Sequence, residues 1–210
     1  MKSSVLRTSV RAFIGAGITL FVASCATPDT RHRVVISVPE QRMVLLDQGV
    51  VMATFPVSTS KFGLGDLPGT NRTPLGELEI SEKIGDAAPS GAVFKDRRRT
   101  GEIVAPDSPG RDPIVTRILW LRGLEAHNAR AHDRTIYIHG TPEERNIGRP
   151  ASYGCVRMRS SDVIRLYDVV GRGARVSIVD APLAAVVPAL SSNPTQLASA
   201  VAPPPEAPPR

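Results

Sequence analysis

Two residues with the right chemistry for acyl transfer stand close together in the chain. His139 ends the stretch Thr135-Ile136-Tyr137-Ile138 and is followed by Gly140, and Cys155 lies sixteen positions further on, within Ser152-Tyr153-Gly154-Cys155-Val156-Arg157. A cysteine attacks a carbonyl as its thiolate, and a neighbouring imidazole can supply that state. Gly154 lets backbone come close to the nucleophile and lets N–H groups converge on one point, where they could hold the oxyanion of a tetrahedral intermediate. Arg157, two residues after the cysteine, carries a planar fork that suits a carboxylate. Together these residue types offer a nucleophile, a base, an oxyanion pocket and an anion clamp. No metal-ligand spacing, HExxH or GxSxG pattern accompanies them, so neither a metal nor another cofactor is expected.

The elements that must position these residues read mainly as strands. Val34 to Val38 is β-branched, Arg42 to Asp47 is apolar, and Asp47-Gln48-Gly49 turns the chain into Val50 to Ser58, which together predict an antiparallel meander. Lys61 to Arg72 is glycine-rich and expected as a loop. Leu75 to Ile80 alternates, Ile114 to Leu121 is a strand holding Trp120, and Arg134 to His139 delivers the histidine to a strand end. Gly85 to Pro113, with four prolines, is expected as one long functional loop. After the cysteine, Ser160 or Ser161 is expected to cap a helix whose apolar residues Val163, Ile164, Leu166, Tyr167 and Val170 fall at three-to-four spacing, with Gly171 or Gly173 stopping it. Arg175 to Val179 closes with a strand. His32, His127 and His132 are expected at the surface, Trp120 in the core, and Arg97-Arg98-Arg99 on a solvated loop face.

The two ends read differently. Lys2, Arg7 and Arg11 precede a short apolar run, Ala12 to Ala23, which is the length of a signal-peptide core and too short for a stable membrane span. The run meets Val22-Ala23-Ser24-Cys25, which resembles the bacterial lipobox, so residues 1–24 are expected to be a lipoprotein signal peptide and Cys25 the lipidated residue. That places the protein in the cell envelope, facing the periplasm, with Ala26 favouring the outer membrane in a host that has one. Residues 25–32 then form a short linker and 33–180 a single catalytic domain. Residues 181–210 contain eight of the nineteen prolines, no aromatic residue and one acid, and are expected to be a disordered tail.

Charge and cysteine usage narrow the partners. The net charge is +6; residues 1–24 carry three basic residues and no acid, so their removal leaves +3. That modest excess, with few aromatic residues, argues against nucleic acid. Of the two cysteines, Cys25 is accounted for by lipid, and Cys155 is left as a lone thiol in an oxidising compartment, which catalysis would explain.

The stretch IYIHGT followed by ASYGCVRM, residues 136–158, resembles the YkuD-type L,D-transpeptidases, whose pattern is His-Gly, a loop, then Ser-His-Gly-Cys with Arg or Asn two residues on. Phe55 to Thr59, Thr73-Pro74-Leu75-Gly76, Lys83 to Asp86, Arg117 to Leu121 and Thr141 to Glu144 extend the likeness in order across most of residues 34–179. The resemblance implies a mostly β fold with minor α, a mixed curved sheet or sandwich with a helix following the nucleophile. It implies Cys155 as nucleophile, His139 as base oriented by the Gly140 carbonyl, and the N–H groups of Tyr153, Gly154 and Cys155 as oxyanion hole. Arg157 would grip a substrate carboxylate or shape the pocket, and Ser152 would hold the loop. The implied substrate is the tetrapeptide stem of peptidoglycan, with D-Ala released and a 3→3 cross-link formed; water or a protein lysine are alternative acceptors. Carbapenems are implied to acylate the cysteine. The protein is expected to be a monomer. Tyr153 departs from the family, which has His there, and a phenol brings no positive charge at neutral pH. That departure keeps open a second reading, a non-catalytic peptidoglycan-binding lipoprotein.

Overall fold

The computed structural model describes residues 27–191. The expected signal peptide, Cys25 and residues 192–210 of the expected tail lie outside the described residues.

The early β-branched runs form β1 (His32–Ser37), β2 (Arg42–Asp47) and β3 (Val50–Pro56), an antiparallel meander. Further strands are β4 (Gly76–Ile84), β5 (Ala92–Lys95), β6 (Arg98–Ile103), β7 (Ile114–Gly123), β8 (Tyr137–Gly140), β9 (Val156–Met158) and β10 (Arg175–Val179). They make one mixed sheet in the order β3-β2-β1-β10-β4-β7-β5-β6, with β8 paired to β7 and to β9. The β1–β10 and β8–β9 pairs are parallel and the rest antiparallel. The helix after the cysteine is α1 (Ser160–Val169). The fold is thus mostly β with minor α, as the sequence pattern and its family likeness lead one to expect.

Two-residue periodicity sorts the strands between two cores. Val34, Ile36, Met43 and Leu45 face a main core with Phe55, Leu78, Ile80, Leu119 and Leu121, closed by Val163, Leu166 and Tyr167 of α1. The alternate residues Val35, Val44 and Leu46 face the reverse side, against Leu183, Val187 and Leu190. Leu183 and Leu190 belong to two short helices, α2 (Leu183–Val186) and α3 (Pro188–Ser191), and Val187 lies between them. Residues 183–191, expected as part of a disordered tail, instead pack on the sheet. Composition hid this, because three apolar side chains suffice to cover the back of β1 and β2 in an otherwise proline-rich stretch. Each such burial contributes roughly 1.5–3 kcal/mol.

The segment expected as one long loop, 85–113, contains the β5–β6 hairpin. Its two-residue turn is Asp96-Arg97, both with positive φ (49° and 63°), a conformation usually signalled by Asn-Gly or Asp-Gly. All of β6 is exposed, so no apolar alternation marks it. The helix cap also differs. The N–H of Ser160 donates to Glu144 Oε1 at 2.8 Å, so a carboxylate from the preceding loop caps α1 and no serine side chain does. At the other end Lys83 Nζ donates to the carbonyls of Tyr167 (2.8 Å) and Val170 (2.7 Å), where a cation suits the helix dipole.

Replacing Leu183 with alanine should lower the free energy of unfolding by about 2–4 kcal/mol in a denaturant titration, the usual cost of a cavity at a fully buried leucine. A disordered segment would show no change.

Candidate active site

Strand pairing brings the two chemical residues to one face. In the parallel β8–β9 ladder, Ile138 lies opposite Val156 and His139 opposite Arg157. Ile136, Ile138, Val156 and Met158 point into the main core. Alternation therefore turns Tyr137, His139, Cys155 and Arg157 to the other face, where Cys155 packs against the cluster of Phe94, Ile118 and Tyr137.

The sulfur sits among backbone groups. The N–H of Tyr137 points at Cys155 Sγ at 3.4 Å, and the thiol lies 3.5 Å from the carbonyl oxygen of Thr135. Thr135 has a φ of 56°, an outlier for a β-branched residue that costs of order 1–3 kcal/mol and turns its carbonyl toward the sulfur. His139 is buried, and its Nδ1 lies 2.8 Å from the carbonyl oxygen of Gly140. A carbonyl only accepts, so Nδ1 carries the proton and Nε2 keeps its lone pair. A side chain at Gly140 would meet the Val115 carbonyl at 2.7 Å, which explains the glycine after the histidine.

Burial sets the protonation of both groups. It pushes the Cys155 thiol up to about 11, although the Tyr137 N–H and the charges of Arg157 and Arg134 pull the other way. It pushes the His139 imidazole down to about 4 against the Gly140 hydrogen bond, with Arg157 adding to the fall. Between those limits the resting pair is a neutral thiol and a neutral imidazole, not a thiolate–imidazolium pair.

The turn before the cysteine is braced by Ser152, which is fully buried. Its hydroxyl donates to the Cys155 carbonyl at 2.5 Å and accepts from the Gly154 N–H at 3.2 Å. The Gly154 N–H is thereby engaged, whereas those of Tyr153 and Cys155 make no hydrogen bond among the described residues. Gly154 itself has a φ of 119°, and a side chain there would crowd the Arg72 carbonyl and Ile136 at 3.3 Å. Thr73 Oγ1 donates to the Gly154 carbonyl at 3.0 Å and accepts from the Ser60 N–H, tying the 61–72 loop to the cysteine turn.

Arg157 is not a free clamp. Its side chain is buried, with Nη2 at 2.5 Å from Asp112 and Nη1 at 3.7 Å from Glu143. Its fork is already filled from within the protein, so it is not free to grip a substrate carboxylate. Arg134 is likewise occupied: it bonds Asp66 at 2.7 Å, with both side chains buried, and donates to the carbonyls of Gly65 and Arg72. Sequence reading missed Asp112, Asp66 and Arg134. Each is distant in sequence from the cysteine, and each is an ordinary charged residue in a polar stretch until the loops close on one another.

A cavity of about 370 Å³ opens beside the sulfur, lined by Pro68, Asn71, Arg134, Ile136, Tyr153 and Cys155 among others. Tyr153 is 56% exposed at its mouth. Behind the sulfur, Tyr137 meets Trp120 edge-on, and Trp120 stacks on His132 with ring centres 4.0 Å apart. Arg97 lies over Trp120 and donates to the Tyr137 hydroxyl at 3.4 Å. Arg97 is exposed, as expected of the Arg97-Arg98-Arg99 run, whereas His132 and Trp120 are both half-buried. His32 pairs with Asp29 at 2.9 Å, far along the sheet.

Comparison with known proteins identifies relatives of the chain. The family model for the L,D-transpeptidase catalytic domain, YkuD, matches residues 31–178. YkuD of Bacillus licheniformis, named as an L,D-transpeptidase, is 25% identical over 167 residues, which is 79% of this chain and 76% of that protein. YbiS of Escherichia coli, named likewise, is 30% identical over 165 residues, 75% of this chain but 48% of its own length. The chain thus spans about half the length of that second relative. A solved L,D-transpeptidase 3 from Mycobacterium tuberculosis overlaps with a TM-score of 0.48 at 15% identity, over 71% of this chain and 61% of that one.

The depressed His139 makes stability depend on pH. Its unfolded value is near 6.5 and its folded value about 4, so the unfolded chain binds the extra proton across that window. Stability should therefore be full above pH 6.5 and fall by about 3 kcal/mol as pH drops to 4. Denaturant titrations of the protein and of His139→Gln across that range should differ by this amount.

Proposed function

We propose, for a chain that belongs to the YkuD family of L,D-transpeptidase catalytic domains, that Cys155 is the nucleophile and His139 the base of a peptidoglycan transpeptidase. The observation that carries this reading is the fixed imidazole. With Nδ1 held on the Gly140 carbonyl, His139 presents Nε2 as a proton acceptor on the face that Cys155 shares.

The substrate is a tetrapeptide stem ending in D-Ala. As the Cys155 sulfur adds to the carbonyl that precedes D-Ala, His139 Nε2 takes the thiol proton. The oxyanion then accepts from the N–H groups of Tyr153 and Cys155, a contribution of about 3 kcal/mol per donor in comparable sites. The intermediate collapses by breaking its C–N bond, and His139 returns the proton to the departing amine. D-Ala leaves and a Cys155 thioester remains. The side-chain amine of the diamino acid in a second stem next attacks the thioester and loses a proton to His139. The sulfur departs and is reprotonated, leaving a 3→3 cross-link. Water in place of the amine makes the same site an L,D-carboxypeptidase, and a protein lysine makes it an anchoring enzyme.

Neutral resting groups suit this order of events. A thiol kept protonated resists the oxidation that a standing thiolate would suffer in the envelope. Proton transfer to His139 then coincides with attack, so charge develops where the oxyanion donors can act on it.

Incubating the protein with a disaccharide-tetrapeptide should release D-Ala and give either a cross-linked dimer or a tripeptide, the product naming the acceptor. Cys155→Ala should abolish D-Ala release, and His139→Ala should reduce it by at least about a hundredfold, the usual size of a lost general base. A carbapenem should add its mass to the protein and not to Cys155→Ala. Tight muropeptide binding without D-Ala release or adduct would instead support the non-catalytic binding reading.

A further inference from the structure

A substrate that ends in a carboxylate needs a cation at the cavity, and both arginines closest to the sulfur are already neutralised. Arg157 is held by Asp112 and Glu143, and Arg134 by Asp66. Lys61, from the glycine-rich loop, is held in another way. Its Nζ donates to the Tyr153 hydroxyl at 3.0 Å and lies 4.3 Å from the centre of the Tyr153 ring and 5.3 Å from that of Phe62. The Phe62 and Tyr153 rings pack against each other at 5.4 Å. Among the described residues Lys61 has no acidic partner.

Aromatic faces position an ammonium without cancelling its charge, and at exposed sites they contribute only about 0.5–1 kcal/mol. The charge of Lys61 thus remains available to a ligand. Tyr153 adds a directed donor: its oxygen accepts from Lys61, which leaves its own O–H to give. The ring of Tyr153 lines the cavity together with Cys155, two residues away in the chain. A cation and a hydroxyl donor therefore meet at the mouth of the cavity that the sulfur opens into. Asp133, also on the cavity wall, is strongly exposed and lies on the β8 side, in sequence next to Arg134.

We propose that Lys61 and Tyr153 form a carboxylate-binding pair that recognises the free C-terminus of the donor peptide. This rests on the transpeptidase reading for the identity of the ligand, though not for the presence of an anion site beside Cys155. Tyr153 then does at this position what a neutral side chain can do: it hands the charge to Lys61 and orients it. Lys61 and Tyr153 act on the specificity of the acylation step, not on the proton transfers.

Two readouts test the pair. The first needs no enzymatic activity: alkylation of Cys155 by anionic iodoacetate and by neutral iodoacetamide, followed by intact mass. Lys61→Met should lower the iodoacetate-to-iodoacetamide rate ratio about fivefold, and Lys61→Arg should restore most of it, as expected for loss of one charge-assisted contact. An unchanged ratio in Lys61→Met overturns the proposal. The second compares D-Ala release from a stem with a free C-terminus against release of the amide from its C-terminal carboxamide. The wild-type protein should favour the free acid about tenfold in kcat/KM, and Lys61→Met and Tyr153→Phe should each shrink that preference. Equal preference in all three proteins, with turnover intact, overturns the carboxylate pair and leaves the transpeptidase reading standing. No turnover of either peptide by the wild-type protein, with the alkylation ratio still falling in Lys61→Met, supports the anion site and removes the peptide as its ligand.

Discussion

Placing a half-buried thiol and a buried imidazole on one face of the β8–β9 ladder is the constraint on which the site is built. Both groups lose their charged forms by burial, Cys155 to about 11 and His139 to about 4. A positive charge nearby favours the thiolate but disfavours the imidazolium, so it cannot simply generate the ion pair. Arg157 illustrates the compromise. It lies on the same face, yet Asp112 at 2.5 Å shares its charge, and the two together form a nearly neutral pair. The neutral pair is then stable at rest, and in the proposed reaction the energy of separating charge falls on the moment when substrate groups and oxyanion donors are present to receive it.

The loops that carry these residues are held by polar bonds more than by apolar packing. The Asp66–Arg134 pair is buried, and Arg134 also bonds two loop carbonyls. Such a pair adds little net stability against an apolar replacement, but removing one partner typically costs about 3–5 kcal/mol, because a buried charge is left alone. Its structural consequence is a fixed distance between the 61–72 loop and β8. Thr73 and Ser152 extend the bracing to the cysteine turn. The cavity wall thus owes its shape to hydrogen bonds with defined directions, which suits the proposed reaction at one sulfur atom.

The chain showed its strands and its chemistry with unequal clarity. β-branched and alternating runs marked β1 to β4, β7 and β10 because each buries at least one face. His139 and Cys155 stood out because their residue types are rare here and their neighbours are glycines. The β6 strand was invisible, since a fully exposed strand needs no apolar alternation, and its Asp96-Arg97 turn lacks the usual glycine. Residues 183–191 were hidden by proline and alanine, although the unbroken apolar runs Val34-Val35-Ile36 and Met43-Val44-Leu45-Leu46 imply a sheet covered on both faces. The occupation of Arg157 could not be read at all. Its partner Asp112 lies forty-five positions away, in a segment whose course no local pattern specifies.

The neutral resting pair is the central claim, and the pH dependence of Cys155 alkylation by iodoacetamide tests it most directly. The account predicts a rate that rises about tenfold per pH unit from neutrality upward, with no plateau on the acid side, in both the protein and His139→Ala. A plateau of high reactivity between roughly pH 5 and 8 that disappears in His139→Ala would reveal a standing thiolate–imidazolium pair and contradict it.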